Sequence, residues 1–322
     1  MSELRHRTVN VNGIRLKLAE QGEGMPVVLC HGFPGLGYSY RHQMAALAGA
    51  GYRAVAPDMR GYGGSDAPSE SAEYDHDHTV ADVIGLLDEL GAEKAVVVGH
   101  DFGAPVAWQT AVRHPERVAG VVSLSVPYEP RLSPVRPSEV FAQMAKDHFF
   151  HVHYFQTRGT ADRELAANPR DFLRRVYYAL SGGYRYLDIW KHPSEGNGYL
   201  DVLPEAPPLP WPWLSTEELE VYVAEFARTG FSGGLNWYRA IDVNWEKGAP
   251  WANKPVEVPA LFVAGARDTV VEMGGPKAFE RMKGAVRDLR GLHLVEGAGH
   301  WVQQEKPEVV NRLLLDFLAG LR

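Results

Sequence analysis

The sequence has little of what several protein classes require. It contains one cysteine, Cys30, among 322 residues, which excludes an internal disulfide framework. The residues before it, Val27, Val28 and Leu29, are apolar. We therefore expect Cys30 to be a small buried strand residue and not a catalytic thiol.

Long apolar runs are also missing. The first residues, Met1 to Arg7, lack the apolar segment of a secretory signal, and no run of about 18 apolar residues could span a bilayer. These absences predict a soluble, cytoplasmic protein with no membrane contact.

Positive charge is not in excess. The 33 basic residues are outnumbered by 40 acidic ones, for a formal net charge of -7, and no basic stripe could follow a phosphate backbone. A nucleic-acid partner is therefore not expected. The hydrophobic share of 45% is enough to fill a substantial core in a chain of this length.

Short β-branched runs alternate with helix-length segments along much of the chain. Two alternating segments flank Asn12-Gly13, a strong hairpin signal. The later runs are Val27–Cys30, Arg53–Ala56, Ala95–Val98, Val118–Ser123, Ala260–Ala264 and Leu292–Val295. This rhythm predicts a mostly parallel central sheet covered by helices on both faces.

The rhythm stops between residues 127 and 255. This segment is rich in aromatic residues and proline and contains a helical pattern at Ser215–Arg228, but it has no comparable strand run. We predict a helical cap domain at 127–255, inserted into a core domain formed by residues 1–126 and 256–322. A final amphipathic helix is predicted at Pro307–Leu318.

The turn after the third predicted parallel strand carries a chemical signal. Ala95–Val98 leads into Gly99-His100-Asp101-Phe102-Gly103, and a helical pattern follows. Strand, sharp turn and helix, with glycines flanking the central residue, are typical of a nucleophile elbow. Here Asp101 stands where the common form has serine, although an ordinary turn with an N-capping Asp would also fit the segment alone.

Other strand ends supply the groups that an attacking carboxylate needs. His31-Gly32-Phe33-Pro34 follows the strand at 27–30, so the N–H groups of Phe33 and Phe102 are candidates for an oxyanion hole. Phe33-Pro34 is also a candidate for a cis peptide. Asp268 and His300 follow the last two predicted strands, which gives the order nucleophile, acid and base along the chain.

A carboxylate nucleophile restricts the substrate. When it attacks a saturated carbon it forms an alkyl ester that water can hydrolyse, whereas serine would form an inert ether. Epoxides and alkyl halides are the classes of substrate that fit this chemistry.

The chain resembles the epoxide hydrolases of the α/β-hydrolase fold over essentially its whole length. Dehalogenases share some of the matching segments, but the two that lie within the predicted cap are closest to epoxide hydrolases. The matching segments are His31–Pro34, Tyr38–Gln43, Asp58–Ser65, Gly99–Gly103, Tyr154–Gln156, Phe231–Arg239 and Gly299–Trp301.

The resemblance implies an α/β-hydrolase fold and a set of roles. Two cap tyrosines of the family donate hydrogen bonds to the epoxide oxygen, and the matching positions are Tyr154 and Tyr238. Asp101 would attack an epoxide carbon, and His300, oriented by Asp268, would activate water against the ester. A small epoxide and water would be the only reactants, no cofactor or metal is implied, and a homo-oligomer is possible.

The chain departs from the family pattern after His-Gly-Phe-Pro. Many members carry glutamate there, whereas this chain has Gly35. If that glutamate helps to hold the hydrolytic water, another group must substitute here, and His100 is a candidate. His151-Val152-His153 lies beside Tyr154 and could line the pocket, but packing within the cap is the favoured interpretation.

Two alternative functions stay open on the sequence. A haloalkane or haloacid dehalogenase would use the same nucleophile, but it usually needs Trp or Arg where this chain has Phe102. A catalytically silent sensing or interaction protein would be expected to have lost a member of the triad, and none is lost.

Overall fold

One eight-stranded sheet forms the centre of the molecule. The computed structural model describes residues 3–130 and 134–321. The strands, β1 to β8, are Arg5–Val11, Ile14–Gln21, Pro26–Cys30, Arg53–Pro57, Ala95–His100, Val118–Leu124, Val256–Gly265 and Val286–Val295. Their order is β1-β2-β4-β3-β5-β6-β7-β8. The pairs β1/β2 and β2/β4 are antiparallel and all others are parallel, which confirms the predicted mostly parallel sheet.

The first two strands form the predicted hairpin. Asn12 and Gly13 have φ of 48° and 78°, the left-handed values that a type I′ turn requires at both central positions. The turn pairs Val11 with Ile14.

Helices cover both faces of the sheet. Those outside the insertion are Arg41–Gly49 (α1), His76–Glu89 (α2), Gly103–Arg113 (α3), Thr269–Ala285 (α12), Val302–Glu305 (α13) and Pro307–Ala319 (α14). Along β5, Val97 belongs to the apolar cluster on one face, whereas Val96 and Val98 belong to the cluster on the other. Burial on both faces explains the continuous apolar runs that predicted these strands.

The last strand is longer than predicted. The sequence pattern marked only Leu292–Val295, but β8 begins at Val286. This strand lies at the edge of the sheet and pairs only with β7, so most of its side chains are partly exposed. An edge strand can carry polar residues that hide its periodicity.

Helices also make up the segment between β6 and β7. They are Pro137–Met144 (α4), His151–Tyr154 (α5), Thr160–Ala167 (α6), Pro169–Leu180 (α7), Tyr199–Val202 (α8), Thr216–Thr229 (α9), Ser232–Arg239 (α10) and Ile241–Lys247 (α11). Helix α9 matches the predicted helix at 215–228, and Ser215 caps it by accepting a hydrogen bond from the Glu218 N–H. The final helix, α14, likewise starts at the predicted Pro307.

A buried ion pair lies where this helical segment meets the sheet. Arg60, which is 2% exposed, donates to both carboxylate oxygens of Asp82 at 2.8 and 2.7 Å. The backbone carbonyl of Arg60 accepts a hydrogen bond from Nε1 of Trp237 in α10. The pair therefore links α2, the loop after β4 and the inserted segment.

Across residues 3–130 and 134–321, no helix has both the length and the apolar character needed to cross a membrane. Cys30 is buried in β3 as predicted, and burial raises the pKa of its thiol to about 12.

Candidate active site

The turn between β5 and α3 holds Asp101 in a strained conformation. Its φ is 53°, a left-handed value that non-glycine residues rarely adopt. A Cβ atom on Gly99 would lie 2.0 Å from the carbonyl oxygen of Gly103, and one on Gly103 would lie 2.0 Å from that of Cys30. Both positions require glycine because backbone segments come into close contact here. The sharp turn places Asp101 directly after the C-terminal end of β5.

One oxygen of Asp101 accepts a hydrogen bond from a backbone N–H group. The N–H of Phe33 donates to Oδ1 of Asp101 at 2.7 Å. A Cβ atom on Gly32 would lie 2.1 Å from this oxygen and 2.5 Å from the backbone nitrogen of Phe102. Glycine at position 32 therefore leaves the space in which Phe33, Phe102 and the carboxylate come together. The Phe33-Pro34 peptide is cis, as proposed from the sequence.

The other oxygen of Asp101 faces a histidine. Oδ2 lies 3.4 Å from Nε2 of His300, and Nδ1 of the same ring lies 3.1 and 3.3 Å from the two carboxylate oxygens of Asp268. Asp268 is fully buried and also accepts a hydrogen bond from the Val270 N–H. The imidazole is thus bracketed by two carboxylates.

The charges of this triad support one another. Burial by itself lowers the pKa of His300, but Asp268 and Asp101 outweigh burial and raise the pKa to about 10. Burial would raise the pKa of Asp101, but His300, His100 and the Phe33 N–H together lower it. The resting site at neutral pH is therefore an ionised Asp101 beside an imidazolium.

The backbone of His300 is fixed on both sides. Its carbonyl accepts hydrogen bonds from Nε2 of His100 at 2.7 Å and from Oγ of Ser125 at 3.1 Å. Its N–H donates to the carbonyl of Leu180, at the end of α7, at 2.8 Å. This last hydrogen bond joins the loop of His300 to the inserted helical segment.

A buried glutamate holds the same loop. One carboxylate oxygen of Glu305 accepts from the N–H groups of Gly299 and Trp301, and the other accepts from the N–H of Gly182 in the inserted segment. Burial raises the pKa of Glu305 to about 7, although these three N–H groups lower it in part. Sequence patterns do not predict this role of Glu305, since it depends on contacts made only in the folded chain.

A tyrosine from α10 packs over the turn that carries Asp101. The ring of Tyr238 lies 4.6 Å from that of Phe102 and 5.5 Å from that of Phe33, nearly perpendicular to both. Burial raises the pKa of Tyr238 well above its usual value, and the charge of Asp101 raises it further. The phenol is therefore neutral and lies within electrostatic reach of the carboxylate.

Comparison with known proteins gives this arrangement a family. Residues 25–180 match the model of the alpha/beta hydrolase fold. The chain is 48% identical to Epoxide hydrolase A of Mycobacterium tuberculosis, over 98% of this chain and 97% of the relative. It is 38% identical to Epoxide hydrolase 1 of Siraitia grosvenorii, over 99% of both chains. The chain belongs to the epoxide hydrolase family.

A solved structure agrees with this family. The crystal structure of Epoxide Hydrolase A from Mycobacterium thermoresistibile matches with a TM-score of 0.93 and 48% identity over 99% of both chains. This epoxide hydrolase is therefore a hydrolytic enzyme of the α/β-hydrolase fold, and the alternatives of a dehalogenase or a silent protein are set aside.

Most of the residues predicted for an epoxide hydrolase site lie together. The cluster of side chains and backbone N–H groups around the carboxylate consists of Asp101, Asp268, His300, Tyr238, Phe33 and Phe102.

Tyr154 is the predicted residue that does not join this cluster. Burial raises the pKa of its phenol, and the carboxylates that raise it further are those of Glu164 and Asp201. Its ring packs against Phe149 at 5.4 Å. The expectation that Tyr154 faces the epoxide therefore has no support in this geometry.

His151 is the residue of the same helix that does face the site. Its ring lies 6.1 Å from that of Tyr238, and the charges of Asp101 and His300 both act on its pKa. His151 and Tyr154 are one helical turn apart in α5. The sequence favours packing for His151, because spacing alone does not show which of the two side chains faces Asp101.

The position that often carries glutamate in the family is tightly enclosed here. A Cβ atom on Gly35 would lie 3.0 Å from the carbonyl oxygen of Gly32 and 3.1 Å from Oγ of Ser39. The predicted substitute, His100, has its ring 4.8 Å from that of His300, but its Nε2 already donates to the His300 carbonyl. The Nε2–H of His100 is therefore engaged by the His300 backbone.

Proposed function

We propose that this chain converts a small epoxide and water into a vicinal diol through an alkyl ester on Asp101. The observation that carries the proposal is the different environment of the two Asp101 oxygens. Oδ1 lies on the Phe33 N–H, whereas Oδ2 faces His300. Oδ2 is thus the oxygen available to attack, and Oδ1 becomes the carbonyl oxygen of the ester.

The first step forms the ester. A bond forms between Oδ2 of Asp101 and one epoxide carbon, and the bond from that carbon to the ring oxygen breaks with its electron pair on the oxygen. Tyr238 donates a hydrogen bond to this oxygen and then its proton. The imidazolium of His300 returns a proton to the tyrosinate through solvent, so the charges balance.

Ester formation also prepares the base. The Asp101 carboxylate is one of the two charges that raise the pKa of His300, and esterification removes that charge. The pKa of His300 must therefore fall in the intermediate. A histidine that begins as an imidazolium becomes a neutral base at the stage where a base is needed.

The second step releases the product. Neutral His300, oriented by Asp268, takes a proton from water, and the resulting hydroxide attacks Cγ of Asp101. The N–H groups of Phe33 and Phe102 stabilise the oxyanion on Oδ1. Collapse expels the diol oxygen, which takes the proton of the newly formed carboxylic acid, and the ionised Asp101 beside imidazolium is restored.

The remaining predictions are proposed on the same basis. Residues 127–255 serve as the cap domain over a core of residues 1–126 and 256–322, because Tyr238 reaches the nucleophile from this inserted segment. The partners are the epoxide and water, and both steps use only protein groups and water. Cytoplasmic localisation and a homo-oligomer stay predictions.

A single turnover in ¹⁸O-water tests the covalent route. With enzyme in excess over styrene oxide, the first diol should contain no ¹⁸O, because one of its oxygens comes from the epoxide and the other from Oδ2 of Asp101. Recovered enzyme should carry the label in the peptide that contains Asp101. One ¹⁸O atom in each molecule of the first diol, with none in the enzyme, would mean that water attacks the epoxide directly.

A further inference from the structure

The proposed function leaves the oxygen of the epoxide with one donor, Tyr238, since Tyr154 faces Glu164. The charge formed on that oxygen at ring opening is better stabilised by two donors than by one. Around Tyr238, the polar side chain that reaches the site from α5 is His151. Its ring lies 6.1 Å from that of Tyr238 at an angle of 82°.

His151 is held in place by other tyrosines. Its Nδ1 lies 2.8 Å from the hydroxyl of Tyr186, and that hydroxyl lies 2.7 Å from the hydroxyl of Tyr199. The imidazole also stacks on the ring of Tyr199, with centroids 5.5 Å apart and an angle of 17°. These contacts fix both the plane of the imidazole and one of its nitrogens.

The segments that carry the two residues are tied to each other. The side-chain amide of Gln156 donates to the carbonyl of Val152, one residue after His151, and to the carbonyl of Tyr238. The spacing between His151 and Tyr238 is therefore set by a hydrogen bond and does not depend on ring packing alone.

The charges of the site reach His151. Burial lowers the pKa of His151 to about 4, Asp101 opposes this effect, and His300 adds to it. The ring is therefore neutral at pH 7 and has one N–H to donate. The charge of Asp101 also acts on the pKa of Tyr238, so both side chains lie within electrostatic reach of the same carboxylate.

The tyrosine chain selects which nitrogen carries the proton. If Tyr199 donates to Tyr186, the hydroxyl of Tyr186 donates to Nδ1 of His151, and each hydroxyl uses its proton once. Nδ1 is then the acceptor, which leaves the proton on Nε2. Nε2 is the nitrogen that remains for the substrate.

We propose that Nε2–H of His151 and the phenol of Tyr238 form the pair of donors that holds the epoxide oxygen while Asp101 attacks. This proposal rests on the proposed function and adds a second donor to it, so that a histidine–tyrosine pair takes the place of the tyrosine pair expected from the sequence. A neutral imidazole N–H is a weaker acid than a phenol, so Tyr238 supplies the proton and His151 stabilises the charge by its hydrogen bond.

Stopped-flow single turnovers of styrene oxide separate this proposal from the role predicted for Tyr154. His151→Phe keeps an aromatic ring but removes the donor, so ester formation should slow by about 10²- to 10³-fold. Hydrolysis of the ester should change little. His151→Tyr, which restores a donor, should recover part of the loss, and the matched control Tyr154→Phe should stay within about threefold of the parent protein.

The opposite pattern would overturn the proposal: ester formation at the parent rate in His151→Phe, or a loss of about 10²-fold in Tyr154→Phe alone. Melting curves of each variant separate these effects from misfolding. A parent protein that forms no ester on Asp101 would instead contradict the proposed function itself.

A second measurement tests the positioning role of Tyr186. The ¹⁵N chemical shifts of His151 should report a proton on Nε2 in the parent protein. In Tyr186→Phe, the Nδ1 acceptor loses its donor, so the shifts should move toward a mixture of tautomers and ester formation should slow. A proton on Nδ1 in the parent protein would contradict the assigned donor.

Discussion

Nε2 of His300 lies 3.4 Å from Oδ2 of Asp101, a separation that fits an ion pair better than a strong hydrogen bond. The two groups attract each other while Oδ2 keeps a face open toward an incoming carbon. In the proposed mechanism, the same imidazole later activates water against Cγ of Asp101. One histidine would therefore serve both halves of the proposed reaction.

Removal of the base should trap the intermediate. His300→Gln leaves Asp101 able to attack, but it removes the group that activates water. Steady-state turnover should fall by about 10²- to 10⁴-fold. Intact-protein mass spectrometry should show the enzyme heavier by the mass of one epoxide, and the double variant Asp101→Ala/His300→Gln should show no adduct. A His300→Gln enzyme that turns over at the parent rate without an adduct would contradict the role of the base.

The position of Gly32 should tolerate no side chain. The Cβ of Gly32→Ala would lie 2.1 Å from Oδ1 of Asp101, so the carboxylate must move away from the N–H groups. We expect a loss of at least about 10²-fold in kcat/KM, because a displacement of about 1 Å can cost that much. The control is Gly49→Ala, whose added atom meets nothing within 4 Å; it should keep parental activity. Equal activity of the two variants would show that a side chain at position 32 does not displace the Asp101 carboxylate.

Loss of the buried ion pair should cost stability more than chemistry. Arg60→Ala leaves Asp82 buried without its partner, and we expect the free energy of unfolding to fall by about 3–5 kcal/mol. Arg158→Ala removes a more exposed pair with Glu70 and should change it by about 0.5 kcal/mol or less. Urea unfolding curves measure both. Similar midpoints of unfolding for the two variants would show that the buried pair of Arg60 contributes no more to stability than the exposed pair of Arg158.

The triad also predicts a pH dependence of stability. The pKa of His300 is raised to about 10 in the folded protein, so its charged form stabilises the fold. That stabilisation is complete below about pH 6.5, the ordinary pKa of histidine in an unfolded chain, and is lost as pH rises through about 10. The difference in unfolding free energy between the parent protein and His300→Gln should therefore shrink across this range. A difference in unfolding free energy that stays constant or grows with pH would contradict a positively charged His300 in the folded protein.

Local patterns were sufficient to predict the frame of the site. The strand, turn and helix around Asp101 follow from β-branched residues, glycines and helical periodicity within about twenty residues of sequence. Asp101, Asp268 and His300 each follow a predicted strand. Because parallel strands end at a common edge of the sheet, the three residues were expected to lie close together. The structure agrees at each of these positions.

What the sequence left undetermined depends on tertiary contacts. Arg60 and Asp82 are ordinary charged residues until folding buries them as a pair. The choice between His151 and Tyr154 depends on how α5 is rotated within its segment, which packing determines and residue spacing does not. The start of β8 was hidden because its edge position allows polar side chains.

The bonds from the His300 loop to the inserted segment also bear on how substrate arrives. His300 donates to the carbonyl of Leu180, and Glu305 binds the N–H of Gly182. The inserted segment cannot lift away on this side without moving the catalytic base. Entry of epoxide and release of diol that leave the proposed base in place are therefore expected on a side away from Leu180 and Gly182.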